Sequence, residues 1–164
     1  PPRYCSSEWT SRRGALHYSA RQRQKLCKEV TRSIPVYILA HAISGKHADV
    51  VEFLFGLNMA RWDLAEAFIA AVGAEQHTLA DRIFEAHRRK SKMSLLVDVA
   101  GYKCDCQAVN HLYYNGQDNA KLIGRAFVRA AKYKHIATME FLYGTKRVSM
   151  DAFDKAMENA ATYP

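Results

Sequence analysis

Lys46-His47-Ala48-Asp49-Val50-Val51-Glu52-Phe53-Leu54-Phe55-Gly56 is written a second time as Lys134-His135-Ile136-Ala137-Thr138-Met139-Glu140-Phe141-Leu142-Tyr143-Gly144. Such self-similarity at a fixed spacing is the signature of a repeat architecture. Sliding the sequence over itself finds two weaker copies between these, beginning at His77 and Asp105, and aligns Leu54, Phe84, Leu112 and Leu142 at separations of 30, 28 and 30 residues. Upstream of each copy sits a small or apolar pair: Ala42-Ile43, Val72-Gly73, Ala100-Gly101, Ala130-Ala131. The unit these features predict is a helix, a tight turn and a second helix, repeated about every 29 residues. One unit cannot bury its apolar face alone and must stack on the next.

Helix signals fill in the unit. Pro35 suits the first turn of a helix over 36–44, where its missing N–H has no partner to lose, and Gly45 marks the turn into a helix over 47–55. Asp63 is the expected N-cap of a helix over 64–72, whose Leu64, Ala67, Phe68 and Ala71 keep helical spacing. The second helix of that unit is expected over 77–87. Ser94 is expected to cap 95–101, Asp105 to open the next second helix, Asn119 or Asp118 to cap 120–131, and Ser149 to cap 150–161, with 135–143 between. No segment alternates with period two for long enough to predict a strand. The fold class expected is therefore all-α: a short α-solenoid of stacked helix pairs over residues 33–164, about four repeats and a final helix. Residues 1–32 read as a basic N-terminal arm with a helix over 15–32 that caps the array.

The segment Lys46 to Phe55 resembles the ankyrin pattern Gly-His-x-x-Val-Val-x-x-Leu-Leu, and Ala130-Ala131 before Lys134-His135 is similar to the small pair that precedes it. Met150 to Asn159 resembles the first helices of the abbreviated ankyrin-like repeats of oomycete proteins. The chain departs from the standard unit in lacking any Thr-Pro-Leu-His opening. Its period is also shorter than the standard repeat of about 33 residues, which leaves little room for a projecting hairpin. The resemblance implies protein recognition without catalysis. It also admits a secreted pathogen effector that binds a host protein in the host cytoplasm or nucleus, although no Arg-x-Leu-Arg host-entry motif occurs.

Composition is compatible with this. Lys and Arg outnumber Asp and Glu by 24 to 16, a net charge of +8, so acidic proteins and nucleic acid are both electrostatically permitted partners. No apolar run approaches the roughly 20 residues that cross a bilayer, so no membrane insertion is expected. The chain opens Pro1-Pro2 without an initiator Met, and the expectation is of a processed chain or fragment. Cys5, Cys27, Cys104 and Cys106 are too few for a disulfide scaffold.

Motifs for chemistry are sparse. Cys104-x-Cys106 lacks the second pair that a zinc site needs, so no metal and no cofactor are expected. His47, His77 and His135 fall one per unit, which suits three turns better than one metal, and they are expected to bond turn backbone. No phosphate loop, nucleophile elbow or His-Glu-x-x-His motif occurs, and no enzyme is expected. Arg88, Arg89, Lys90 and Lys92 form the densest charge run, read either as a solvated loop between units or as a nucleic-acid or nuclear-import patch. Lys121, Arg125 and Arg129, spaced by four, share one helix face and are the preferred contact ridge for a protein with an acidic surface, together with His41 and Glu66 in earlier units. The rival reading is a nucleic-acid-binding helical repeat. It would require aromatic side chains interleaved with the cations to stack bases, whereas most Phe and Tyr fall on the repeat's own apolar positions.

Overall fold

The computed structural model describes residues 36–56, 62–102 and 106–162. The helix expected over 15–32, the arm before it and the start of the second helix at Asp105 lie outside these residues. The described residues form helices α1 (Ile38–Ser44), α2 (Ala48–Gly56), α3 (Leu64–Gly73), α4 (His77–Lys90), α5 (Leu95–Val99), α6 (Gln107–Tyr114), α7 (Ala120–Lys132), α8 (Ile136–Gly144) and α9 (Met150–Thr162). No strand occurs among them, so the all-α expectation holds. No helix among the described residues is long and apolar enough to cross a membrane.

Local chemistry explains most boundaries. Asp63 Oδ1 accepts from the N–H groups of Ala65 and Glu66, both at 3.1 Å, and Asn119 Oδ1 accepts from Lys121 N at 2.9 Å. Ser149 Oγ accepts from Ala152 N at 3.3 Å. Each satisfies donors that a helix start leaves without partners. Ser94 departs from expectation: its hydroxyl makes no cap bond and instead donates to Gln117 Oε1 at 2.7 Å, tying the approach to α5 to the loop after α6. Helix α4 runs three residues past its expected end at His87, so Arg88, Arg89 and Lys90 form a last helical turn and not a loop. Cations there face the negative end of the helix dipole, which favours the extra turn.

The recurring turn has one geometry. After α1, His47 N donates to Ala42 O and Lys46 N to Ile43 O; after α3, Gln76 N to Ala71 O and Glu75 N to Val72 O; after α7, His135 N to Ala130 O and Lys134 N to Ala131 O. The residue between each pair of bonds is left-handed: Lys46 (φ 56°), Glu75 (φ 59°) and Lys134 (φ 59°). This is a Schellman ending, in which two orphan carbonyls of the finished helix are bonded before the chain enters the next one. The small pair thus supplies the accepting carbonyls, and in the second unit that pair is Ala71-Val72, one residue earlier than Val72-Gly73. Counting eight residues on from each left-handed residue reaches Leu54, Ile83 and Leu142, all buried. Phe84 is only half-buried, so Ile83 and not Phe84 stands at the buried position that Leu54 and Leu142 occupy relative to their turns.

The odd-numbered helices pack in a row, α1 on α3, α3 on α5, α5 on α7 and α7 on α9, and α2, α4 and α8 each pack on the helix before them. Helix α6 lies against both α3 and α5. The core runs along this row through Leu39, Ile43, Phe68, Leu96, Ile123 and Phe127. Trp62, fully buried, donates its indole N–H to Leu54 O at 3.1 Å and fastens the start of α3 to the end of α2. Further ties join residues 28 to 30 positions apart: Arg82 to Glu52, Lys90 to the Trp62 carbonyl, and Arg147 to Asp118. Gly124 lets α7 and α9 pack closely, since a Cβ there would come 3.1 Å from the Ala152 Cβ, tighter than an ordinary contact.

Candidate functional site

Helix α7 has the clearest division of its faces. Ile123, Gly124, Ala126, Phe127, Ala130 and Ala131 are buried, while Lys121 and Arg125 are exposed. The ridge of three is not uniform. Arg129 turns inward, with Nη2 at 3.8 Å from Asp98 Oδ1 on α5 and its side chain only 35% exposed. Room for it comes from Gly101, where a Cβ would sit 2.6 Å from the Arg129 Nε.

Lys121, Arg125 and Arg129 border one groove of about 580 Å³ between α5, α7 and α9. Val97, Gly124, Val128 and Ala152 give it an apolar floor, with Met93 at one end. Lys155 on α9 and Lys132 add two more cations to the rim, and Asp151 is the single carboxylate among the lining residues. No ion pair is made by Lys121, Arg125 or Lys155 among the described residues. His41 and Glu66 do not border this groove. His41 is exposed on α1 with its ring edge-on to Tyr37, and Glu66 lies half-buried in the first turn of α3.

A second cavity of about 390 Å³, between α3, α4, α5 and α7, brings Asp63, Lys90 and Arg129 together with His87, Asp98 and Tyr102. His87, almost wholly buried, donates from Nε2 to Asp98 Oδ2 at 3.0 Å, and the other Asp98 oxygen faces Arg129. The Tyr102 hydroxyl donates to Asp63 Oδ2, whose other oxygen caps α3. Burial, followed by that bond and by the nearby Asp63, Glu66 and Asp98 charges, pushes the Tyr102 hydroxyl well above its usual range. A phenol held so firmly neutral is a hydrogen-bond donor and not a base. Lys90 Nζ donates to the Trp62 carbonyl at 3.0 Å. Each acid here is matched by a donor, and the network ties four helices together. A local signal did exist for His87: it stands four residues after the buried Ile83, on the same helix face. Tyr102 and Asp63 are 39 residues apart, and no local pattern joins them.

The charge run is divided by its surroundings. Arg88 bonds Glu85 at 2.9 Å within the helix and Lys90 reaches the Trp62 carbonyl, which leaves Arg89 and Lys92 exposed without a tie to one patch. Of the recurring histidines, His135 gives its Nδ1–H not to its own turn but to Ala100 O, at the end of α5, at 3.1 Å. His77 instead stacks on His111, ring centroids 5.5 Å apart, because it stands one residue past the turn position that Gln76 fills. Cys106 is a free thiol just before α6, and Cys104 lies outside the described residues. Compared with protein-family models, with curated protein sequences and with solved structures, the chain matches none.

Proposed function

We propose that the chain is a short ankyrin-like array of helix pairs that serves as a non-catalytic protein-binding module, engaging an acidic surface of its partner with the exposed face of the odd-numbered helices. The observation that carries this reading is the set of exposed cations, Lys121 and Arg125 on α7 and Lys155 on α9, with no ion-pair partner among the described residues. Like charges four residues apart on a helix repel, and an opposite charge on a partner relieves that repulsion while steering association. The row of odd-numbered helices and the same turn after α1, α3 and α7 support the array reading. An effector acting on a host protein is one biological setting for such a module.

Arg129 is a poor test residue because reversing its charge would also disturb Asp98 and His87. Lys121→Glu with Arg125→Glu is the cleaner pair. Affinity capture from candidate host lysate, followed by kinetics on the purified partner, should show slower association for the double variant at low salt, where attraction is least screened. Equal association by both proteins would refute the reading. The nucleic-acid alternative is separated in the same assay by a single-stranded RNA probe, whose affinity would fall steeply with salt. The large exposed aromatics among the described residues, Tyr37, Phe53, Tyr114, Tyr133 and Tyr143, are absent from the groove lining, which disfavours base stacking there.

A further inference from the structure

The groove between α5, α7 and α9 combines two features that a flat acidic surface would not use together. Its rim is cationic on both walls, Lys121 and Arg125 on α7 facing Lys155 on α9. Its floor is apolar, built from Val97, Val128 and Ala152. At about 580 Å³ the space lies within the range of clefts that enclose small ligands or single large side chains. Gly124 sets this shape: without a side chain it lets α9 approach α7 and leaves the floor smooth between the two walls.

We infer that the groove is a docking site for a linear acidic segment of a protein partner, one that seats a large apolar side chain on the Val97, Val128 and Ala152 floor while flanking Asp or Glu residues meet Lys121, Arg125 and Lys155. The inference rests on the protein-binding reading of this face and narrows it from a surface to a peptide. Charge complementarity selects the flanks, because the rim has one carboxylate, Asp151, against its cations. The apolar floor selects the anchor, since a residue buried at the centre of a contact and ringed by polar ones is where binding energy concentrates. A nucleic-acid strand would find the cations but no aromatic platform.

The test pans the full chain at low salt against a phage library of random peptides about twelve residues long, then measures the enriched sequences as synthetic peptides. They should carry Asp or Glu around one Leu, Ile, Met or Phe, and replacing that residue with Ala should weaken binding roughly tenfold. Lys121→Glu with Arg125→Glu should weaken it by a similar factor with the helical circular dichroism unchanged, and Val128→Lys should abolish it. The two variants are read separately, so a folding defect in Val128→Lys leaves the charge test standing. Enriched peptides that lack acidic residues, or whose affinity ignores both variants, overturn the groove as the site but leave protein binding elsewhere on the face intact. Failure to enrich any peptide also overturns it. If a short single-stranded RNA then binds and the charge variant weakens that binding, the protein-binding reading falls as well.

Discussion

Tyr102 is the side chain whose surroundings most alter its acidity. Its hydroxyl is raised above the ordinary 10.0 chiefly by burial, then by the bond to Asp63. The folded chain therefore holds this proton longer than the unfolded chain does. Its contribution is whole below about pH 10, where the unfolded tyrosine starts to ionise, and is lost as pH rises toward the higher folded value. Tyr102→Phe should cost about 0.5–1.5 kcal/mol at neutral pH by urea unfolding, for the lost hydrogen bond. The same variant should lose less stability than wild type between neutral and strongly alkaline pH; parallel curves would show that Tyr102 does not ionise differently in the two states. Glu52 is shifted the opposite way, below the usual carboxylate range, by the hydrogen bond from Arg82, but both groups are largely solvated and little stability should depend on them. What the sequence revealed at this scale was local: Asp63, Asn119 and Ser149 were readable as caps because a cap needs only its own next turn. The Asp98 and Tyr102 contacts were not readable, because their partners come from other helices.

Three helix pairs turn on a left-handed residue, Lys46, Glu75 and Lys134, and none of the three is Gly. A non-glycine residue in that region carries a cost of about 1–2 kcal/mol. Lys134→Gly should thus stabilise the chain by roughly 0.5–1 kcal/mol, after the added freedom of glycine in the unfolded state is subtracted. A lower urea midpoint for this variant would show that the Lys134 side chain contributes more than its backbone costs. The repeat register gives a second comparison. Ile83, fully buried in α4, should lose about 2–5 kcal/mol on truncation to Ala. Phe84→Ala should lose clearly less despite its larger ring, because that ring is only half-buried; the reverse order in thermal unfolding would place Phe84 in the core. The periodicity in the sequence identified the helices and their approximate bounds. It set the register of α3 and α4 one residue late because Phe84 and the Val72-Gly73 pair matched by residue type, whereas the turn bonds and burial pick out Ala71-Val72 and Ile83. The basic last turn of α4 was hidden for a related reason, since four charged or polar residues in a row resemble solvated loop until the dipole at a helix end is considered.

For the whole molecule, the all-helical class was legible because it needs only period and turn signals, whereas the groove was not, because it exists only once α5, α7 and α9 are side by side. Burial is uneven along the row. Six residues of α3 are buried but only Ala156 of α9. Helix α9 also presents Met150 and Met157 to solvent. Amide hydrogens of α9 should exchange with solvent well before those of α3 and α7, as hydrogen exchange read by mass spectrometry would show; equal protection would mean that the described residues open as one cooperative unit. Among the described residues, the side-chain bonds that join separate parts of the row connect residues no more than 39 positions apart, as between Tyr102 and Asp63. Loop closure before such contacts form is inexpensive in entropy, and topologies of this kind reach their folded state quickly. Stopped-flow refolding should therefore find most of the amplitude completed within milliseconds, so that helix pairs emerging early from a ribosome can assemble before the C-terminal ones have been synthesised.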